Sequence, residues 1–208
     1  MRRTNLKLVT PSADTDAVVR TMPRRPPNNE LRPREYLTPT EVDQLIAAAK
    51  GNRNGHRDAA MILITYRHGL RASEVCGLQW SQISFDEARM HVKRVKRGTP
   101  STHPIMGDEL RMLRRLRREN PNSAYVFLSE RKGPFSGVGF AFLVSRAGVK
   151  AGFSMKIHPH MLRHSTGYKL ANDGVDTRSL QAYLGHVNIQ QTVKYSELCS
   201  TRFDNFWR

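Results

Sequence analysis

Apolar residues recur at helical spacing along nearly all of the stretch 37–198, and the one place where they do not lies between Gln82 and Ile105. There the pattern changes to short alternating stretches at 82–85, 89–95 and 101–105, with Met90, Val92 and Val95 as apolar members of the middle one. Alternation of this kind turns one face of a strand to a core, so the expectation is a mainly α fold with a small three-stranded antiparallel sheet. Elsewhere glycines punctuate the helical runs: Gly51, Gly69, Gly152, Gly174 and Gly185 each follow a periodic segment, as helix-ending residues do.

The first element is predicted at Leu37-Thr38-Pro39-Thr40-Glu41, where Thr38 caps, Pro39 suits the first turn and Glu41 sits three residues past the cap; the helix should run to Gly51. A second fits 56–66, with Ala60, Ile62, Leu63 and Tyr66 on its apolar face, and GLRASEVCGLQW turns into a third. In GDELRMLRRLRREN, Leu110, Leu113 and Leu116 share one side among five arginines, a pattern that fits a solvated helix face at least as well as DNA contact. Further helices fit 138–151, 160–173, 176–184 and 189–198.

Residues 1–35 carry Pro23, Pro26, Pro27 and Pro33 among basic and polar residues and read as a flexible arm; residues 36–200 form the domain. About 170 residues bury roughly 70% of their unfolded surface, enough to dispense with a disulfide or metal staple. In the tail at 201–208, Phe203, Phe206 and Trp207 at helical spacing require a pocket, either on their own domain or on a neighbouring protomer.

Lys and Arg number 34 against 18 Asp and Glu, a formal charge of +16, so a polyanion is the expected partner. Cys76 and Cys199 sit in unrelated contexts, suggesting neither a disulfide framework nor a zinc site, and a reducing cytoplasm fits. The first residues lack the apolar core of a signal peptide, and no run of 18 apolar residues occurs, so neither export nor membrane spanning is expected. Nucleotide-driven chemistry has no support, because neither a dinucleotide fingerprint nor a Walker loop is present. Nor does an aromatic single-strand platform mark an RNA-binding module.

Cleaving a phosphodiester without metal requires cations around the non-bridging oxygens, an acid for the leaving oxygen and a nucleophile opposite it. Carboxylate clusters able to hold two Mg²⁺ ions are not evident, which leaves permanently charged guanidinium groups for the electrostatic work. Four separated segments offer such groups: GLRASEVCGLQW, with Arg71 and Glu74; VKRVKRGTPSTHPIM, with Lys96; HPHMLRHS, with His160, Arg163 and His164; and the run from LGH at His186 to VKYSE at Tyr195. Taken singly each has a plainer reading. Arg71 and Glu74 are helix-spacing partners at i and i+3. Lys93, Arg94 and Arg97 beside Lys96 are candidate phosphate-positioning cations. His160 and His164 have the spacing of a metal pair, although HMLRH lacks the Glu of an HExxH site. Tyr66, Tyr168 and Tyr183 fall at apolar helical spacings and read as core.

In order and spacing the four segments resemble the signature boxes of the tyrosine recombinase, or phage integrase, family, over most of the chain from Leu37 onward. The resemblance implies that family's catalytic-domain fold and a metal- and cofactor-free reaction on double-stranded DNA at specific sites. Tyr195 is then the nucleophile, giving a 3′-phosphotyrosyl link. Arg71 and Arg163 clamp the phosphate, His186 adds a hydrogen bond, Lys96 protonates the leaving 5′-oxygen, and His160 assists proton movement at the tyrosine. Glu74 and His164 support them. A synaptic tetramer is the implied assembly. The short arm, together with RVKRGTPSTHP, HPHMLRH and the closing TRFDNFW, is most similar to the short fimbrial-type invertases, which implies a DNA inversion switch aided by accessory DNA-bending proteins. The competing readings are an element integrase or excisionase, a non-catalytic DNA-binding regulator on the same fold, and a type IB topoisomerase.

Overall fold

The computed structural model describes residues 34–94 and 98–197. Most of the expected arm, the segment with Val95, Lys96 and Arg97, Cys199 and the 201–208 tail lie outside the described residues.

Helix α1, Pro39–Lys50, starts at the predicted cap: the Thr38 hydroxyl accepts from the Glu41 amide at 3.3 Å, and the Glu41 carboxylate accepts from the Thr38 amide at 2.7 Å. The Leu37 amide donates to Ser165 Oγ at 2.7 Å, tying this entry to a helix more than a hundred residues away. Val42, Leu45, Ile46 and Ala49 are the buried stripe of α1 and face α2, Gly55–His68, which buries Ala59, Met61 and Ile62. Each large aliphatic side chain so buried contributes about 1.5–3 kcal/mol. Gly69 closes α2 in the left-handed conformation, φ +56°, and the chain turns at once into the short α3, Ala72–Cys76.

After a single 3₁₀ turn at Trp80–Gln82 come β1 (Ile83–Ser84), β2 (Arg89–Val92) and β3 (Ser101–Pro104), antiparallel in the order β1-β2-β3. The sheet is the predicted one, with strands shorter at their ends. Met90, paired with His103, and Val92 point into the core while Arg89 and His91 face out. In α4, Gly107–Glu119, Leu113 and Leu116 are buried and the five arginines lie on the exposed side, an arrangement common to a solvated face and a DNA-facing one.

The remaining helices are α5 (Gly137–Lys150), α6 (Pro159–Asn172), α7 (Thr177–Leu184) and α8 (Gln190–Glu197). Asp176 caps α7 by accepting from the amides of Arg178 and Ser179. Two apolar clusters result. The large one joins α1 to α6 and the sheet; a small one consists of Ala171, Leu180, Leu184 and Tyr195, edged by Tyr168, Leu170, Val175 and Tyr183. Cys76 is a buried free thiol, and among the described residues no helix is long and apolar enough to cross a membrane.

Candidate active site

Arg71 is placed by the αL exit from α2. It holds the N-cap position of α3 in an extended conformation, φ −75° and ψ 157°, and its amide donates to Glu74 Oε2 at 2.9 Å while its guanidinium Nη1 donates to Oε1 at 2.8 Å. The i,i+3 partnership legible in the sequence therefore exists, and it fixes the arginine from behind. Glu74 is buried, which by itself would raise its carboxyl, but the Arg71 amide and the Arg94 and Arg71 guanidinium groups outweigh burial and hold it below the usual carboxylate range.

Arg163 reaches the same node from α6. Its side chain is 1% exposed and donates from Nη1 to the Gly69 carbonyl at 2.5 Å and from Nη2 to the Leu184 carbonyl at 2.7 Å. Burial, then the neighbouring charges of Arg71 and Arg94, bring it down to about 10, so it keeps its proton at neutral pH. Gly69 and Leu184 each end a helix, and their free carbonyls are what one turn of α6 needs to hold an arginine in place.

On the next residue of α6, His164 Nδ1 lies 2.8 Å from the Tyr195 hydroxyl. The sequence reading gave His160 the proton work at the tyrosine and left His164 as a brace; the ring nitrogen against the hydroxyl is that of His164, with the His160 ring edge-on to it at 4.4 Å between centroids. Tyr195 is 1% exposed, its ring edge to face with Tyr168 at 5.1 Å and stacked on His186 at 6.3 Å. Burial raises its hydroxyl above the ordinary phenol value against the pull of Arg163. His186, just past the α7 cap, places Nδ1 2.8 Å from Thr192 Oγ1. When that hydroxyl donates to Nδ1, the imidazole proton resides on Nε2, the atom free to serve a ligand.

These groups line one cleft of about 370 Å³: Arg71 from the α2–α3 corner, His160, Arg163 and His164 from α6, His186, and Gln191, Lys194 and Tyr195 from α8. Among the described residues that line it, none is a carboxylate. Burial first, and then the surrounding cations, lower His164 and His186 to about 3; His160, at the open mouth, is lowered to about 4 by the same two causes. Burial, opposed by Glu35, and then Arg163 lower Lys194. Two guanidinium groups and an ammonium face the cleft while Glu74 grips Arg71 from behind, which leaves the cleft fit for an anion, and the neutral imidazoles can take or give a proton there.

Lys194, Gln191 and Arg94 were not among the catalytic candidates. Gln191 and Lys194 were legible as the i−4 and i−1 neighbours of Tyr195 on one helix. Arg94 corrects a reading: far from positioning phosphate, its side chain is fully buried and bonded to Glu74 Oε2 at 2.9 Å. The signal was parity, since position 94 continues the inward alternation of Met90 and Val92.

The family model for the phage integrase family matches residues 35–202. The Type 1 fimbriae regulatory proteins FimB and FimE of Escherichia coli K12 are 40% identical over 179 residues and 38% identical over 180, each match covering 84% of this chain and 90% or 91% of the relative. The tyrosine recombinase XerC of Bacillus pumilus is 30% identical over 83% of this chain and 60% of its own length. Among solved structures, XerA recombinase superposes with a TM-score of 0.70 at 25% identity, covering 83% of this chain and 62% of that one. The Tn1549 transposon integrase in complex with transposon right end DNA gives 0.67 at 21%, covering 77% and 60%. Two arginines, an anion-ready cleft and a tyrosine at its wall thus coincide with a match over most of the chain, which belongs to the phage integrase family of tyrosine-type site-specific recombinases.

Proposed function

We propose that Tyr195 is the nucleophile of a DNA inversion switch and that Arg71, Arg163 and His186 hold the scissile phosphate. The observation that carries this reading is the shared cleft: the tyrosine, both arginines and three histidines, drawn from four separate parts of the chain, line one carboxylate-free cavity. In the cleavage step the Tyr195 oxygen attacks phosphorus, its proton passes to His164 Nδ1, and the bond from phosphorus to the 5′-oxygen breaks. That oxygen takes a proton from Lys96, leaving a 3′-phosphotyrosyl bond and a 5′-hydroxyl. The two guanidinium groups neutralise the equatorial oxygens, and His186 Nε2–H donates to one of them. His160 relays the proton from His164 to solvent at the cleft mouth. Attack by a 5′-hydroxyl of another duplex reverses every step, so ATP is not needed.

The relatives named as regulators of type 1 fimbriae favour a genetic switch over an element integrase. Exchanging two duplexes breaks four strands, one nucleophile for each, so the synaptic assembly is a tetramer. DNA is stiff over about 150 bp, and sites closer than that meet only when a bending protein is present.

Covalent trapping tests the reading. The purified chain is incubated with nicked duplexes tiled across its flanking genomic DNA, with and without bending proteins, and denatured in detergent. An adduct mapped to Tyr195 and absent from Tyr195→Phe is expected. An adduct on another tyrosine overturns the assignment of the nucleophile, and bound DNA without any adduct supports a non-catalytic regulator.

A further inference from the structure

Arg94 stands at a junction that neither its position in a basic run nor its charge suggests. Its Nη1 donates to Glu74 Oε2 at 2.9 Å and to the Gly69 carbonyl at 3.4 Å, and its Nη2 to the His68 carbonyl at 3.4 Å and to the Tyr183 carbonyl. Each acceptor belongs to a support of the cleft. Glu74 is the carboxylate that grips Arg71; Gly69 offers the carbonyl that Arg163 also uses; residue 183 lies in the last turn of α7, three residues before His186. The chain returning after residues 95–97 presses on the same place, since a Cβ at position 98 would stand 2.8 Å from both Arg94 Cβ and the Gly185 carbonyl. Both ends of the segment that carries Lys96 are thereby held beside the turn before His186.

A buried guanidinium is costly unless paired, and an apolar side chain at this inward-facing position would pack at no such cost. Burial and the Arg71 charge push Arg94 down while Glu74 holds it up, so like-charged guanidinium groups are kept close around a single carboxylate. We propose that Arg94 is a positioning residue for strand cleavage: it locks Glu74, the Gly69 carbonyl and the end of α7 into one frame, and so sets the spacing of Arg71, Arg163 and His186 without touching DNA. The inference rests on the reading of those three groups as the phosphate clamp.

The test uses single-turnover cleavage of a nicked duplex at saturating protein, comparing wild type with Arg94→Met and Arg94→Lys, alongside thermal unfolding and noncovalent DNA affinity. Both variants are expected to fold, with a lowered melting temperature, to bind DNA as wild type does, and to form adduct about 100-fold more slowly, the cost of misplacing reacting groups by about 1 Å. Lys keeps the charge but not the fork, so it does not rescue. A second substrate replaces the scissile phosphate by a neutral methylphosphonate, which asks less of the arginine clamp. A defect transmitted through Arg71 and Arg163 shrinks on it by about tenfold. An equal defect on both substrates, a wild-type rate, or loss of the folded state in both variants overturns the inference. If the wild-type chain itself forms no adduct, the recombinase reading fails and the inference with it, whereas a wild-type adduct with unaffected variants overturns the inference alone.

Discussion

The Tyr195 hydroxyl and His164 Nδ1, 31 residues apart in the chain, face each other at 2.8 Å within a buried wall of the cleft. His164 is neutral at physiological pH, lowered to about 3 by burial and nearby cations, so its nitrogen is available to accept the phenolic proton. His164→Ala is expected to lower adduct formation by about 100-fold or more while DNA affinity is retained. His160→Ala, one ring further out, should cost less. Denaturing gels of trapped complexes read both, and the reverse ranking would return the proton work to His160.

Stability should fall in acid from a stated cause. His103, His164 and His186 are buried with folded values of about 3, against about 6.5 in an unfolded chain. Between those values the unfolded state binds protons that the folded state refuses. The stabilisation present above pH 6.5 is therefore lost as pH falls towards 3, at up to roughly 1.4 kcal/mol per pH unit for each histidine. Melting temperatures recorded from pH 7.5 to 5 should decline. His103→Gln, which touches no cleft residue's chemistry, should flatten the slope; a flat wild-type profile contradicts the account.

Gly167 lies on α6 beneath Tyr195, and a Cβ there would stand 2.7 Å from Cε2 and Cζ of its ring. Alanine gains up to about 1 kcal/mol in helix propensity but overpacks a buried aromatic, which typically costs about 1–3 kcal/mol. Gly167→Ala should be destabilised on balance in urea unfolding and should cleave slowly, because the ring must shift from His164 to be accommodated.

Glu74→Gln removes the carboxylate between two guanidinium groups, and breaking a buried pair by losing one partner costs about 3–5 kcal/mol. Glu130→Gln serves as the contrast: its pair with Arg53 spans 3.8 Å between exposed side chains and is worth less than about 1 kcal/mol. Chemical denaturation of the two variants should separate them clearly.

The sequence made visible whatever rests on local rules. Thr38 and Glu41 announced α1, Asp176 opened α7, and the i,i+3 spacing paired Arg71 with Glu74. Tyr195 was singled out by its distance from LGH, and it lies in the wall of the cleft. The contact of His164 with Tyr195 was not legible, since it depends on how α8 seats on α6, a packing event with no local signature. Arg94 was hidden for a different reason. Within VKRVKR a charged residue looks solvated, and only the alternation from Met90 through Val92 reveals that one of these side chains points inward.

The division of the apolar interior into two clusters decides which contacts hold Tyr195 in place. Tyr195 is anchored in the small one, with Leu180, Leu184 and Ala171, and not in the large one that joins α1 to α6 and the sheet. Local opening costs only the contacts it breaks. Helix α8 packs against α6 and α7, so withdrawing it, tyrosine included, would break contacts with those two helices and spare the large cluster.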